Sequence, residues 1–183
     1  MKDIKKVEEI LEYLRDNSVR AVVAGGYVRD KVLGRQSKDI DIFVLAGDKV
    51  NQSVLGKVIS LLDHQVKPLS PSNEGDPDII EVLNSTTDDW QIDVIVRKEN
   101  TIEEVLSHFP CSLSQAYATY SGGKWEYKVS NYFQEYMNNN LVYFTKGKSE
   151  RAEYKERMIN KFDDAVFLNK HDMTPLSTTT VCL

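Results

Sequence analysis

The stretch Ala24-Gly25-Gly26-Tyr27-Val28-Arg29-Asp30-Lys31-Val32-Leu33-Gly34-Arg35-Gln36-Ser37-Lys38-Asp39-Ile40-Asp41 decides how the rest of the chain is read. On its N-terminal side, Arg20-Ala21-Val22-Val23-Ala24 has the β-branched, apolar character of a short buried strand. The glycine pair ends that strand, residues 27–33 have the length of a short helix, and Gly34 stops it. After the polar loop 35–38 the chain enters a second strand from Asp39 to Leu45. Side chains alternate across a strand, so Asp39 and Asp41 share one face while Ile40, Ile42 and Val44 take the other. Two carboxylates on one face are hard oxygen ligands of the kind Mg²⁺ shares with substrate phosphates. Two glycines ahead of a helix let the backbone come close to a bulky anion, and the amides of a helix start favour phosphate. Alone, Gly-Gly is usually a turn and Asp-x-Asp a solvated strand end. Joined in one stretch, they describe the two halves of a triphosphate site.

Outward from this stretch the hydrophobic pattern alternates between helices and strands. Ile4, Val7, Ile10, Leu11 and Leu14 recur at helical period over residues 2–16. Gly47-Asp48 turns into a helix whose stripe is Val50, Val54, Leu55, Val58, Leu61 and Leu62. Residues 68–77 hold three prolines and a glycine among polar residues and read as a loop, followed by strands at 79–83 and 90–96. The second of these carries Asp93, a third acid beside the first two, whose bland reading is a strand-edge acid next to Trp90. Beyond it come a helix from Thr101, an apolar-polar stretch at 113–120, a strand at 125–129 after Gly122-Gly123, and a helix at 131–137. Residues 151–168 read as one helix with Met158, Ile159, Phe162, Ala165 and Val166 on a face, and its charges as a solvated surface. The domain reading is a core at 1–108, an α/β extension at 109–168 packed on it, and a flexible tail at 169–183.

The composition fits one globular domain of 183 residues, with 41% apolar and 28% charged side chains. Lys and Arg number 23 against 28 Asp and Glu, and the net charge of −5 disfavours a module that coats nucleic acid non-specifically. No apolar run reaches bilayer-spanning length and the N-terminus lacks the apolar segment of a secretory signal, so the expectation is a cytoplasmic protein with no membrane partner. Cys111 and Cys182 lie too far apart in sequence to suggest a metal or disulfide framework and read as free thiols. His64, His108 and His171 show no ligand spacing.

Gly25-Gly26-x-Val28-Arg29-Asp30-x-x-Leu33-Gly34-Arg35, followed by Lys38-Asp39-Ile40-Asp41, resembles the signature of the DNA polymerase β-like nucleotidyltransferases, in the branch of CCA-adding enzymes and bacterial poly(A) polymerases. Ile92-Asp93-Val94 resembles the strand that bears the third catalytic carboxylate there. The resemblance implies an α+β fold, a mixed sheet flanked by helices, with two Mg²⁺ ions. It further implies transfer of a nucleoside monophosphate from a nucleoside triphosphate to a hydroxyl, with release of pyrophosphate. Asp39 and Asp41 would then ligate both ions, Asp93 the ion that activates the acceptor, and the Gly25-Gly26 backbone would meet the phosphates. Arg29 and Lys38 are the cationic candidates for the triphosphate, Arg29 having pairing with Asp30 as its equal alternative.

The likeness stops at residues 109–117, where the tRNA enzymes carry an Arg-Arg-Asp motif and this chain reads Phe-Pro-Cys-Ser-Leu-Ser-Gln-Ala-Tyr. Too few residues follow for the neck, body and tail of those enzymes. The outline is similar to small stand-alone members found in bacteriophages and bacteria. The acceptor stays open between an RNA end, a protein side chain and a small molecule. The rival reading is a catalytically idle protein that keeps the fold to bind a nucleotide or a protein partner.

Overall fold

A computed structural model describes residues 2–45, 51–62, 67–69, 78–87, 89–145 and 152–183. Helix α1 (Lys2–Asp16) buries Val7, Ile10, Leu11 and Leu14. Strand β1 (Arg20–Ala24) leads through Gly25 into helix α2 (Gly26–Val32), and β2 (Asp39–Leu45) follows the loop. Helix α3 (Gln52–Leu62) buries Val54, Leu55, Val58 and Leu62. Gly47, Asp48 and Val50 of the expected helix start lie outside the described residues.

Strands β3 (Lys67–Leu69), β4 (Ile79–Thr86) and β5 (Gln91–Arg97) come next. Pro68, expected in a loop, sits instead in β3 at the sheet edge, where a residue without an N–H is tolerated. Residues 70–77 of that loop lie outside the described residues. Helix α4 (Ile102–Ser107) starts at a reciprocal cap in which the Thr101 hydroxyl accepts from the Glu104 amide and the Glu104 carboxylate accepts from the Thr101 amide.

Strands β6 (Ala116–Ser121) and β7 (Lys124–Ser130) form a hairpin, and helix α5 (Asn131–Asn139) starts on the Ser130 hydroxyl, which accepts from the Phe133 amide. Asn140, left-handed at φ 55°, ends α5 and turns the chain into β8 (Leu141–Thr145), a strand the periodicity did not reveal. Helix α6 (Ala152–Lys161) is shorter than expected. Its apolar spacing continues past Phe162, but the β-branched Val166 and aromatic Phe167 open β9 (Val166–Lys170), parallel to β8. Residues 169–183, expected as a flexible tail, contain β10 (Thr178–Val181), which pairs antiparallel with β7 from Thr178 opposite Ser130 to Val181 opposite Tyr127.

The main sheet has the order β10-β7-β6-β1-β2-β5-β4-β3. All its neighbours are antiparallel except β2 and β5, which run parallel. Strands β6 and β7, placed by the sequence in an extension, continue this sheet from β1. One face is buried under the larger core, where Ile40, Ile42, Val44, Ile92, Val94 and Val96 meet α1 and α3. The other face carries a smaller cluster with Val22, Ala24, Phe43, Leu45 and Tyr117 under α4. A six-residue helix cannot roof a whole sheet face, so the end near Gly25 stays open.

Gln115 ties the C-terminal segment to this frame. It is wholly buried, its side-chain amide donates to the carbonyls of Leu106 at 3.0 Å and Met173 at 2.7 Å, and its carbonyl accepts from the Ser130 hydroxyl at 2.8 Å. Gln115→Leu leaves two buried carbonyls and a hydroxyl without this partner. It is expected to cost about 3 kcal/mol, read as a lower urea midpoint; an unchanged midpoint would show that the network contributes nothing.

Candidate active site

The strand alternation read from the sequence is realised. In β2, Asp39 and Asp41 lie on the face of Phe43 and Leu45, opposite the buried Ile40, Ile42 and Val44. The parallel register sets Asp41 beside Asp93 and Asp39 beside Gln91, and the Lys38 carbonyl accepts from the Gln91 amide at 3.0 Å. On its other side Asp41 faces Ala24 in β1, a residue too small to fill the space above the carboxylate.

The three acids feel one another. The Asp41 pKa is pushed up to about 7, first by burial and then by the charges of Asp93 and Asp39. Asp93 is held from two sides, by the Asn84 side-chain amide and by the Gln91 side-chain amide at 2.9 Å. Asp39 and Asp41 line a cavity of about 660 Å³, whereas Asp93 is not among its lining residues. The three carboxylates are also spaced more widely than a collapsed ligand cluster. Among the described residues, the group that brings one ligand atom each within 4.8 Å is Asp78, Glu99 and His108. In that group Glu99 pairs with the buried Arg97, while His108 lies 3.2 Å from the same carboxylate. A guanidinium already supplies the positive charge there, so the arrangement reads as an ion-pair network.

Gly25 forms the opposite wall. It sits at φ 83° and ψ −138°, its N–H donates to the Ala116 carbonyl at 2.9 Å, and its carbonyl accepts from the Arg29 amide at 3.0 Å. A Cβ there would stand 3.7 Å from Asp41 Oδ2, which measures how closely this backbone faces the acid. Gly26 has no positive φ, and its Cβ would meet Arg29 Nη2 at an ordinary 3.5 Å. The conformational demand therefore falls on Gly25.

Of the two cationic candidates, Arg29 realises its ion-pair alternative. Its guanidinium grips both Asp30 oxygens at 2.8 and 3.0 Å, and Lys161 binds the same carboxylate at 2.9 Å. Two cations keep the Asp30 pKa below the usual range against the opposing effect of burial. Lys38 is exposed on the cavity rim.

Helix α6 supplies residues that the sequence reading treated as a solvated face. The Asp30–Lys161 pair and an Arg35 hydrogen bond to the Lys161 carbonyl at 2.9 Å pin α6 over α2. Tyr154, Arg157 and Lys161 thereby line the cavity above Asp39 and Asp41. The Arg157 guanidinium lies 5.4 Å from the Tyr154 ring centre, and the Tyr154 hydroxyl lies 3.2 Å from that of Ser114. Phe43 and Phe109, with ring centres 5.5 Å apart, form an aromatic wall. The spacing of Tyr154, Arg157 and Lys161 was a signal of a shared helix face, but not of what that face covers.

The cavity thus has an acidic floor, a glycine wall and a basic rim, the charge pattern that a metal-bound polyphosphate complements. Cys111 is buried with its thiol pushed up to about 11 by desolvation, so it is no nucleophile, and both cysteines are free. No helix among the described residues is long and apolar enough to cross a membrane.

Residues 21–104 match the family model of the poly(A) polymerase head domain. Among solved structures, the Thermotoga maritima CCA-adding enzyme complexed with tRNA is similar at 16% identity and a TM-score of 0.67, over 91% of this chain and 39% of that one. A CCA-adding enzyme with CTP is similar at 13% identity and 0.65, again over 91% and 39%. A CCA-adding enzyme with ATP gives 15% and 0.56, over 77% and 33%. The chain therefore spans about two fifths of the length of the first of these enzymes, and at such identities the likeness is one of fold. No curated protein matches. With the β2–β5 acids, the Gly25 turn and the matched segment in agreement, residues 21–104 resemble the poly(A) polymerase head domain, and the fold is that of the CCA-adding enzymes.

Proposed function

We propose that the chain is a nucleotidyltransferase that moves a nucleoside monophosphate from a nucleoside triphosphate to an acceptor hydroxyl and releases pyrophosphate. The observation that carries the reading is the Asp41–Asp93 register with Asp39 on the same face beneath a basic rim, where burial and then the neighbouring acids raise Asp41 to about 7. The donor set fits Mg²⁺, because a carboxylate raised by burial and by two neighbouring acids is relieved by a dication. When bound, two such ions lower the pKa of the attacking hydroxyl and stabilise the leaving pyrophosphate. Asp39 and Asp41 would hold both, and Asp93, aligned by Asn84 and Gln91, the one nearer the acceptor. In the reaction, the acceptor oxygen bonds to the α-phosphorus, the bond to the bridging oxygen breaks, and the hydroxyl proton leaves to solvent.

The remaining residues bind and orient. The Gly25-Gly26 backbone lets the phosphates approach the acids. Lys38 and Arg157 neutralise phosphate charge from the cavity lining, and Phe43 and Phe109 exclude water from one side. Arg29, which also lines the cavity, keeps α6 in place through Asp30. The catalytically idle alternative is not favoured, since an unused site would keep a carboxylate buried beside like charges with nothing to offset its cost.

Lys38→Ala and Arg157→Ala each remove one cation and no metal ligand. Turnover is expected to fall about tenfold to a hundredfold while the residual activity still requires Mg²⁺. Undiminished turnover in both would move the triphosphate elsewhere. The direct test incubates the protein with labelled nucleoside triphosphates, Mg²⁺ and a cell extract, and identifies the macromolecule or metabolite that gains label. Thermal melting with Mg²⁺ and each triphosphate provides the binding readout. No incorporation and no rise in midpoint with any nucleotide would sink the proposal.

A further inference from the structure

The sheet face that carries the acids extends past them onto β4. The β4–β5 pairing sets Asn84 opposite Asp93 and Thr86 opposite Gln91, and the β2–β5 pairing continues these rows to Asp41 and Asp39. Paired residues of neighbouring strands share a face, so the six side chains form two rows on one surface. Leu83, Ile92 and Ile40, which alternate with them, turn into the core of the other face. Three side-chain hydrogen bonds cross the rows. The Thr86 hydroxyl donates to the Asn84 side-chain carbonyl at 3.0 Å, the Asn84 amide donates to Asp93 Oδ1, and the Gln91 amide donates to Asp93 Oδ2 at 2.9 Å. Chemistry fixes their direction. An ionised carboxylate only accepts, so Asn84 presents its NH₂ to Asp93 and its carbonyl to the hydroxyl, which can donate. Asparagine is a poor strand former, and here, inside β4, its side chain meets an acid rather than the apolar core.

We propose that Asn84, oriented by Thr86 and assisted by Gln91, is a positioning residue for the third carboxylate: this clasp holds Asp93 ready as a metal ligand beside Asp41 and so sets how tightly the site binds the ion that Asp93 shares. The inference rests on the nucleotidyltransferase reading for what that ion does. An ionised carboxylate offers about four acceptor positions, and the two amides occupy one on each oxygen. The clasp therefore restrains both oxygens and still leaves lone pairs for a cation. An unclasped Asp93 would rotate freely about its side-chain bonds, and the entropy of ordering it would oppose ion binding. Removing a partner that orients a ligating group lowers metal affinity by about tenfold to a hundredfold. None of Asn84, Thr86 and Gln91 lines the catalytic cavity, which separates this role from nucleotide contact. An amide that merely stabilised the sheet would change the melting temperature and leave the affinity for a dication alone.

The experiment titrates the full chain with Mn²⁺, a dication of the same oxygen preference as Mg²⁺, and measures free ion by electron paramagnetic resonance. Asp93→Asn defines the binding that needs the third carboxylate. Asn84→Leu should weaken that binding about tenfold. Adding Asn84→Leu to Asp93→Asn should weaken it no further, because the clasp then has no carboxylate to position. Thr86 is exposed, so Thr86→Val tests the relay without touching the core, even where Asn84→Leu folds poorly. It should weaken Mn²⁺ binding about threefold, whereas Thr86→Ser, which keeps the hydroxyl, should bind as the wild type does. In turnover, Asn84→Leu should lower kcat at limiting Mg²⁺, regain it at about tenfold higher Mg²⁺, and leave the KM for nucleotide unchanged. Wild-type Mn²⁺ affinity in both Asn84→Leu and Thr86→Val, or an equal loss from Asn84→Leu with and without the Asp93 carboxylate, would overturn the clasp and leave the nucleotidyltransferase reading standing. A wild type that binds no Mn²⁺ would sink that reading and the clasp with it.

Discussion

Asp41→Asn is expected to lower nucleotidyl transfer by about a thousandfold or more, and to raise the melting temperature of the metal-free protein at pH 8 by about 5 °C. The two effects have one cause. Asp41 is buried between like charges, and its pKa stands near 7 in the folded chain against 3.8 for the ordinary side chain. A folded-state pKa above the unfolded value means that the native protein binds the proton more tightly. Stability from this group is therefore greatest below about pH 4, declines as pH rises towards 7, and is lowest above it. Metal-free wild type should melt progressively lower from pH 5 to pH 8, and Asp41→Asn should lose much of that dependence. Mg²⁺ competes with the proton for the same oxygens, so its affinity should rise through pH 7 and its binding should release protons. Asp41→Ala should share the loss of activity. Melting curves in chelator across this pH range, beside single-turnover assays, check both halves. A variant that melts below wild type at pH 8 would make the carboxylate structural, and preserved turnover would remove it from the metal site.

Gly25→Ala should be the most damaging of the glycine substitutions in the site. At φ 83° and ψ −138° the backbone occupies a region reserved for glycine, and holding an L side chain there costs about 3 kcal/mol. The added methyl would also stand 3.7 Å from Asp41 Oδ2 and 3.9 Å from the Phe109 ring, inside the space between glycine wall and acidic floor. A rotated peptide would relieve the strain only by giving up the Gly25 hydrogen bond to Ala116 that joins this turn to β6. The expected outcome is a fall in melting temperature of about 8 °C together with near-complete loss of nucleotide binding. Gly26→Ala is the control. The sequence reading gives the phosphate contact to the Gly25-Gly26 backbone as a whole, but the Gly26 backbone angle is ordinary and its methyl meets only the end of Arg29. Its stability should hardly change. Titration of both folded variants with a non-hydrolysable nucleotide, with and without Mg²⁺, separates strain from obstruction. Equal affinity in Gly25→Ala and wild type would mean that the triphosphate lies elsewhere.

The acidic face of β2 was legible in the sequence because strand alternation is a local property: once 39–45 is a strand, Asp39 and Asp41 must share a face. The turn at Gly25 was legible for the same reason, since left-handed backbone is encoded by the residue that adopts it. Asp93 needed the resemblance as well, because nothing within 90–96 says which strand is its neighbour; the parallel β2–β5 register supplies that. The other half of the site was decided by tertiary structure alone. Arg157 and Lys161 carry the same charges whether α6 faces water or the cavity, and the Arg29–Asp30–Lys161 cluster, bridging residues far apart in the chain, selects the cavity. Residues 151–168 kept a helical apolar period to the end, yet Val166 to Leu168 became strand because β8 offered an unpaired edge. Thr178–Val181, polar and without period, was ordered by the edge of β7 in the same way. Alternation, caps and turns depend on a few neighbouring residues, so a sequence states them directly. Strand pairing and helix docking depend on which edges and faces the rest of the chain leaves open, and only the folded molecule settles that.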